Sequence, residues 1–564
     1  MQLTLAEQTS LARLAVDRAR RTTLARVLGS PLMRWRYGAP VADELLIVPQ
    51  SIRTADPSFA DEVAQGHFGL AGQVAELDGR SPFDLAAPSI AWARELHGFG
   101  WLRHLAAEDE AHRIAVSLVA AWIASGHARH EAAWEPQVMA RRLISWLCHA
   151  PMLLEDVDPS AYDRTADSMA RQLVRLSATW RDAACGESRL LALMALLYGD
   201  LCIGGREAYL EETEEASAAE LAVQVLPDGG HISRDASVLV ELLLDLLPLR
   251  QCFMARERPP PAAIEAAIGR MMSMLGTMRL GDGMLARFNG VGAPSTDALA
   301  AVIAHGPELP VDGAEAPYSR YARLARGGLV LLADVGPPPP LEYAGRAHAG
   351  CLSFELSAGS HAVFVNGGAP GPADQDWLAA ARATASHNTA CIGARSSARL
   401  VRHALLERLI GAAPIRGPET VSSRLEHMPQ GDVLEASHDG YLADFGLIHR
   451  RRFTLAADGF SLEGHDSFGP PSGTLRFKQD VPFAVHFHLH PDLRCVSAAP
   501  APRVDLVLPG GARWRFSAEG AQLSLEESVH YADRAGPRPS VQIVLRGACC
   551  GETLVLWRLE QVAG

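Results

Sequence analysis

From Ala87 to about Leu280 apolar residues recur at three- and four-residue spacing, in blocks long enough to form helices. The blocks are 88–106, 109–126, 137–150, 161–184, 188–203, 207–225, 235–255 and 261–279, rich in Ala, Leu, Arg and Glu. Ser125-Gly126, Pro151, Gly186, Gly204-Gly205, Asp228-Gly-Gly and the prolines from Pro259 interrupt them. Antiparallel helical hairpins, as in an α/α toroid or a bundle, satisfy this pattern; no sequence repeat marks a solenoid. After Pro310 the period shortens to two. Short alternating runs begin at Gly328, Leu352, His361, Thr474, Phe483, Val504, Val541 and Thr553, divided by turns such as Asp458-Gly and Pro509-Gly-Gly. So many short strands predict a large antiparallel β-sandwich.

The chain therefore reads as α+β and multidomain. Residues 1–85 hold an arginine-rich amphipathic helix (Arg13, Arg18, Arg20, Arg21, Arg26) followed by irregular segments such as Tyr37-Gly-Ala-Pro. Residues 86–285 are helical, 286–314 a linker and 315–564 the sandwich. A length of 564 residues suits this division.

Composition narrows the picture by exclusion. A net charge of −13 opposes general nucleic-acid binding, and an anionic polymer would need a locally basic groove. Nine cysteines, an odd number without a CxxC, indicate neither a disulfide framework nor a zinc knuckle. No stretch is apolar for the length of a membrane span; Glu241 and Asp245 interrupt the best one. No basic-then-apolar leader opens the chain.

Several stretches carry candidate chemistry. His348, Asn366 and His387-Asn388 flank two short strands, where imidazoles and an amide can form a metal site, a proton-transfer site or an anion clamp, or simply bond backbone in turns. Asp228-Gly-Gly-His231-Ile-Ser-Arg234 sets an imidazole and a guanidinium at a predicted helix start, a favourable place for an anion or an ordinary cap. Trp134, Arg141 and Arg142 can meet sugar rings and carboxylates, or pack. His486, His488 and His490 share one strand face, as chelators or as a polar surface.

Together these residues resemble the heparinase II/III-like polysaccharide lyases, over roughly 85–560. The resemblance rests on Asp228-Gly-Gly-His231, on His348 before Leu352-Ser-Phe-Glu-Leu, on Asn366-Gly367 and on the Thr384 to Asn388 run. It implies an incomplete α/α toroid followed by an antiparallel β-sandwich, with β-elimination at a uronic acid in the cleft between them. His231, His348, His387 and Asn388 become the catalytic candidates. Arg141, Arg142, Arg234, Arg346 and Trp134 become the binders of an acidic polysaccharide. His348, Asn366 and His387 become possible ligands of a structural divalent metal, zinc or calcium. Asn366 stands where the family often has an acid, and residues 264–290 contain no tyrosine. The resemblance also implies the cell envelope or periplasm, with cytoplasm the expectation from the missing leader. The rival expectations are a non-catalytic polysaccharide-binding or envelope-assembly protein, and a toroid hydrolase using two carboxylates.

Overall fold

The computed structural model describes residues 5–28, 44–106, 109–125, 131–293, 296–309, 316–401, 414–472, 480–497, 503–549 and 551–562. The strand expected at Thr474 and the Tyr37-Gly-Ala-Pro segment lie outside these residues.

Each predicted helical block is helical, with edges moved by a few residues. The first divides into Ile90–Gly98 and a 3-10 segment, Gly100–Leu105, because Phe99 takes a left-handed conformation (φ 55°). Asp109–Ala124, Pro136–Cys148, Pro159–Thr179, Glu187–Cys202, Glu207–Gln224, Ala236–Ala255 and Ala262–Met278 follow. Glu187–Cys202 is buried continuously from Leu190 onward, and Ala236–Ala255 nearly so, which explains why both are apolar all round. They form the inner layer of an incomplete toroid around one hydrophobic core.

The expected linker is not an open connector. Thr296–His305 is helical, buries Leu299 and Val302, and packs on Ala236–Ala255. Its apolar run is too short to stand out by periodicity. Near the N-terminus, Leu5–Leu28 lies against the helical half, where Arg21 Nη2 is 3.8 Å from Cys185 Sγ. Among the described residues no helix is long and apolar enough to cross a membrane.

The C-terminal half is antiparallel throughout. One sheet of eight strands has the order Val421–Met428, Gly431–His438, Ile448–Ala456, Ser461–Gly469, Thr553–Gln561, Arg513–Glu519, Arg503–Val507, Arg494–Ser497. Facing it are two four-stranded sheets. One runs Gln522–His530, Arg538–Cys549, Val481–His488, Ala390–Ile392; the other runs Tyr321–Arg326, Leu329–Asp334, Phe354–Ala358, His361–Phe364. Phe354, Phe453, Phe487, Phe516 and Trp557 fill the space between the layers, with Phe354 stacked on Trp557 at 5.7 Å.

Candidate functional site in the interdomain cleft

The turn Asp228-Gly-Gly-His231-Ile-Ser-Arg234 joins the helices Glu207–Gln224 and Ala236–Ala255 and forms the seam between the two halves. Gly229 has φ 90°, and a Cβ there would stand 1.9 Å from the Arg270 carbonyl oxygen. A Cβ on Gly230 would meet Ser319 Oγ at 1.8 Å. Gly229→Ala is therefore expected to cost about 2–3 kcal/mol through strain and overpacking, read as a fall in the denaturation midpoint. Asp228 accepts from the Tyr318 and Ser319 amides and the Ser319 hydroxyl, at 2.6 to 2.8 Å.

His231 sits in the middle of this turn and is buried. Gln224 Nε2 donates to Gly186 O and Glu220, so its Oε1 must accept from His231 Nε2–H, at 2.9 Å. His231 Nδ1 then accepts from the Ser233 hydroxyl at 2.7 Å and the Ser233 amide at 3.1 Å. Burial, with Arg346 adding to it against Asp235, lowers the imidazole pKa to about 4. The ring is neutral and both nitrogens are engaged.

The strand half supplies the other imidazoles. His387 Nδ1 lies 2.8 Å from Ala383 O and so must donate to it; its Nε2 then accepts from His348 Nδ1–H at 3.1 Å. His348 Nε2 keeps a bare lone pair, buried and without a partner. Burial lowers both pKa values, His387 to about 4. The His348 amide is tied through Asn289 to the carbonyl of Arg234, so this pair adjoins the His231 turn without touching its ring.

Tested as a metal centre, the trio does not fit. The Asn366 amide group donates to Arg287 O and accepts from the Asn388 amide. Among the described residues no third His, Cys, Asp or Glu joins the two imidazoles. Asn388 bonds Phe354 O and the His488 amide, so both asparagines spend their side-chain amides on backbone within the core. His486 and His488 are likewise buried, each satisfied by its own neighbour: Gln542 for the first, Ser528 and Ala385 O for the second.

The expected substrate binders separate into two groups. Arg142 lies wholly in the helical core, donating to Gln172 and to the His97 and Ala133 carbonyls, with its guanidinium 4.2 Å from the Trp122 ring. Trp134 belongs to the same stack, with Arg175 at 4.1 Å. Arg234 is a buried staple: its side chain donates to Ser319 O, Pro337 O and Arg320 O and pairs with Asp334 at 2.6 Å. These three are therefore corrected from ligand contacts to packing. Arg346 remains half exposed (52%), with Nε 3.1 Å from Asp235 and Nη2 on Gly290 O. Arg141 lines a cavity of about 770 Å³ in the mouth of the toroid, forked onto Asp245 at 2.7 and 2.8 Å.

The sequence did not delineate that cavity. Four arginines (53, 94, 103, 141) and five carboxylates (Asp56, Glu62, Glu95, Glu187, Glu241) line it, so it is not the basic groove a polyanion needs. Glu241 and Asp245, legible in sequence only as interruptions of an apolar run, hold Arg53 at 2.9 and 3.0 Å. Tyr343 was also unmarked. It comes from the strand half to Gly186, where a Cβ would be 3.6 Å from Tyr343 Cδ1 and 3.9 Å from His231 Cε1.

A helical toroid thus closes on an antiparallel sandwich, and elements of both halves meet at one cleft. The profile described as heparinase II/III-like, C-terminal, matches residues 309–557, and this chain belongs to the heparinase II/III-like family. It is 30% identical over 549 residues to the FtsZ-localized protein C of Caulobacter vibrioides, spanning 95% of this chain and 93% of that one. Among solved structures, heparinase III superimposes with a TM-score of 0.69 at 11% identity, over 94% of this chain and 89% of that one. A heparan sulfate lyase HepC mutant from Pedobacter heparinus gives 0.60 at 14%, over 99% and 89%. At these identities the structural likeness speaks for the fold alone.

Proposed function

We propose that this chain is a saccharide-binding protein that has kept the lyase fold without its elimination chemistry, and that it acts at the division site. The observation carrying this reading is the state of His231. β-Elimination needs a base with a free lone pair beside the sugar C5–H and an acid for the leaving oxygen. His231 has neither free, since Nδ1 is occupied by Ser233 and Nε2–H by Gln224. The described hydroxyls of Tyr198, Tyr321 and Tyr441 are bonded to core carbonyls. The near-full-length similarity to a protein named for its localization with FtsZ supports the place of action.

Cleavage is the second reading, and Tyr343 beside His231 is what favours it. Purified protein incubated with alginate, heparin, heparan sulfate and polyuronides decides between them. The expected result is no ultraviolet absorbance from an unsaturated uronate. A chromophore that appears, and disappears in His231→Ala, would establish a lyase. New reducing ends without a chromophore would indicate hydrolysis. A fluorescent fusion is expected to gather at the FtsZ ring; diffuse signal would remove the division-site part of the proposal.

A further inference from the structure

Charges within the toroid cavity are mostly spoken for. Arg53 and Arg141 are bound to Glu241 and Asp245, and Arg94 reaches Glu135 at 2.7 Å. Glu95 accepts the Ala71 amide, Asp56 caps Ser58, and Glu62 accepts from the Ser58 hydroxyl. Among the described residues, Arg103 is the lining arginine with no ion pair, and Glu187 is the lining carboxylate with neither an ion pair nor a hydrogen bond. Arg103 donates to the carbonyls of Thr54 and Gly100, and among the described residues it forms no ion pair. Nothing among the described residues donates to or ion-pairs with the carboxylate of Glu187, at the start of Glu187–Cys202.

We infer that the cavity receives a saccharide carrying both a carboxylate and an ammonium group, as on a peptide-bearing amino sugar, with Arg103 taking the carboxylate and Glu187 the ammonium. This rests on the saccharide-binding reading above and deepens it.

Both groups are electrostatically costly in the free protein. Burial, with repulsion from Arg53 and Arg141 and against the attraction of Glu241 and Glu95, lowers the Arg103 pKa to about 10. Burial raises that of Glu187, with Glu241 and Asp235 adding to the effect against Arg346 and Arg141. A ligand charge of the right sign relieves each cost. A polyuronate offers only negative charge, so it would satisfy Arg103 while meeting Glu187 and the other carboxylates. The two groups also lie in different surroundings. Arg103 belongs with the Arg53 and Arg141 guanidiniums beside Gly100, whereas Glu187 looks toward Asp235 and Arg346 at the strand half.

Calorimetric titration of the full chain tests this with four probes: a muramyl tripeptide ending in lysine, N-acetylmuramic acid, chitotriose and a hexameric polyuronate. The zwitterionic tripeptide is expected to bind at least about tenfold more tightly than the others, since a charge-assisted bond contributes ~1.5–3 kcal/mol. Glu187→Gln and Arg103→Gln should each weaken it by about tenfold or more, while Arg103→Lys, which keeps the charge, should lose less. Equal melting temperatures establish that each variant is folded. Preference for the polyuronate, or tighter tripeptide binding by Glu187→Gln, would overturn this inference and leave the saccharide-binding reading standing. No binding of any probe would overturn both.

Discussion

Asp466→Ala is expected to destabilise the strand half by about 3–5 kcal/mol, the cost of leaving buried partners without their counter-charge. Asp466 lies on Ser461–Gly469 and is fully buried. It accepts from Arg451 Nε at 2.7 Å and Nη2 at 3.1 Å, from His449 Nε2 at 2.7 Å and from Trp557 Nε1 at 3.0 Å. The chain of donors continues inward. The Gly440 amide donates to His438 Nδ1, so His438 Nε2–H donates to His449 Nδ1 at 3.3 Å, leaving His449 Nε2–H for the carboxylate. Arg451 Nη1 also holds the carbonyls of Leu352 and Asn388, which ties this network to the strands bearing the histidine pair.

Burial alone would raise the Asp466 pKa, but Arg451 and His449 overcome it and hold the carboxyl well below its usual range. The sign follows from linkage: a depressed carboxylate contributes stability that is complete above its unfolded pKa of about 4 and is lost as pH falls through the folded value. Asp466→Ala should thus be most damaging at neutral pH, with the gap to the parent narrowing in acid. Urea denaturation from pH 7 down to pH 3 measures it. A constant gap across that range, or one under 1 kcal/mol, would mean the network is not coupled as described.

Arg234→Ala is expected to have a comparable effect, about 3–5 kcal/mol, by a different route. Arg234 lies in the helical half and its partners in the strand half, and three backbone carbonyls and Asp334 depend on it. Its own carbonyl accepts from Tyr321 and Asn289, so the residue joins the halves on both sides. Burial already raises the Asp334 pKa, and Arg234 is the main force opposing that rise. Without the guanidinium the folded pKa climbs further. A raised pKa favours the folded state at low pH and loses that advantage as pH increases. The variant should therefore be more impaired at pH 8 than at pH 5, the same sense as Asp466→Ala but in a higher pH window. Because the halves have separate hydrophobic cores, calorimetry should also resolve two transitions where the parent shows stronger coupling. A single transition with an unchanged midpoint would show that Arg234 does not hold the seam.

Asp228, His231 and Arg234 stood out because glycines between a carboxylate and an imidazole and a guanidinium mark a close backbone approach. The approach is real, but what comes close is Ser319 and Arg270, parts of the protein itself. Sequence spacing identifies a crowded place and is silent about its occupant. His387, Asn366 and Asn388 are similar: their polar groups are spent on backbone carbonyls and amides brought in by other strands.

Local pattern alone determined the order of elements here. Helical periodicity placed the hairpins from Ile90 to Met278, two-residue alternation announced the strands, and the motif residues carried the family, because burying one face of an element is written in neighbouring positions. Only tertiary structure decided the fate of individual charges. Arg142 and Arg141 are adjacent in sequence, yet one is sealed against Trp122 and the other opens on the cavity, and Glu241 and Asp245 turn from interruptions into counter-ions for Arg53. A charge is stabilised by whatever lies within a few ångströms, and for Arg141, Arg234 and Arg53 those partners are 104, 100 and 192 residues away.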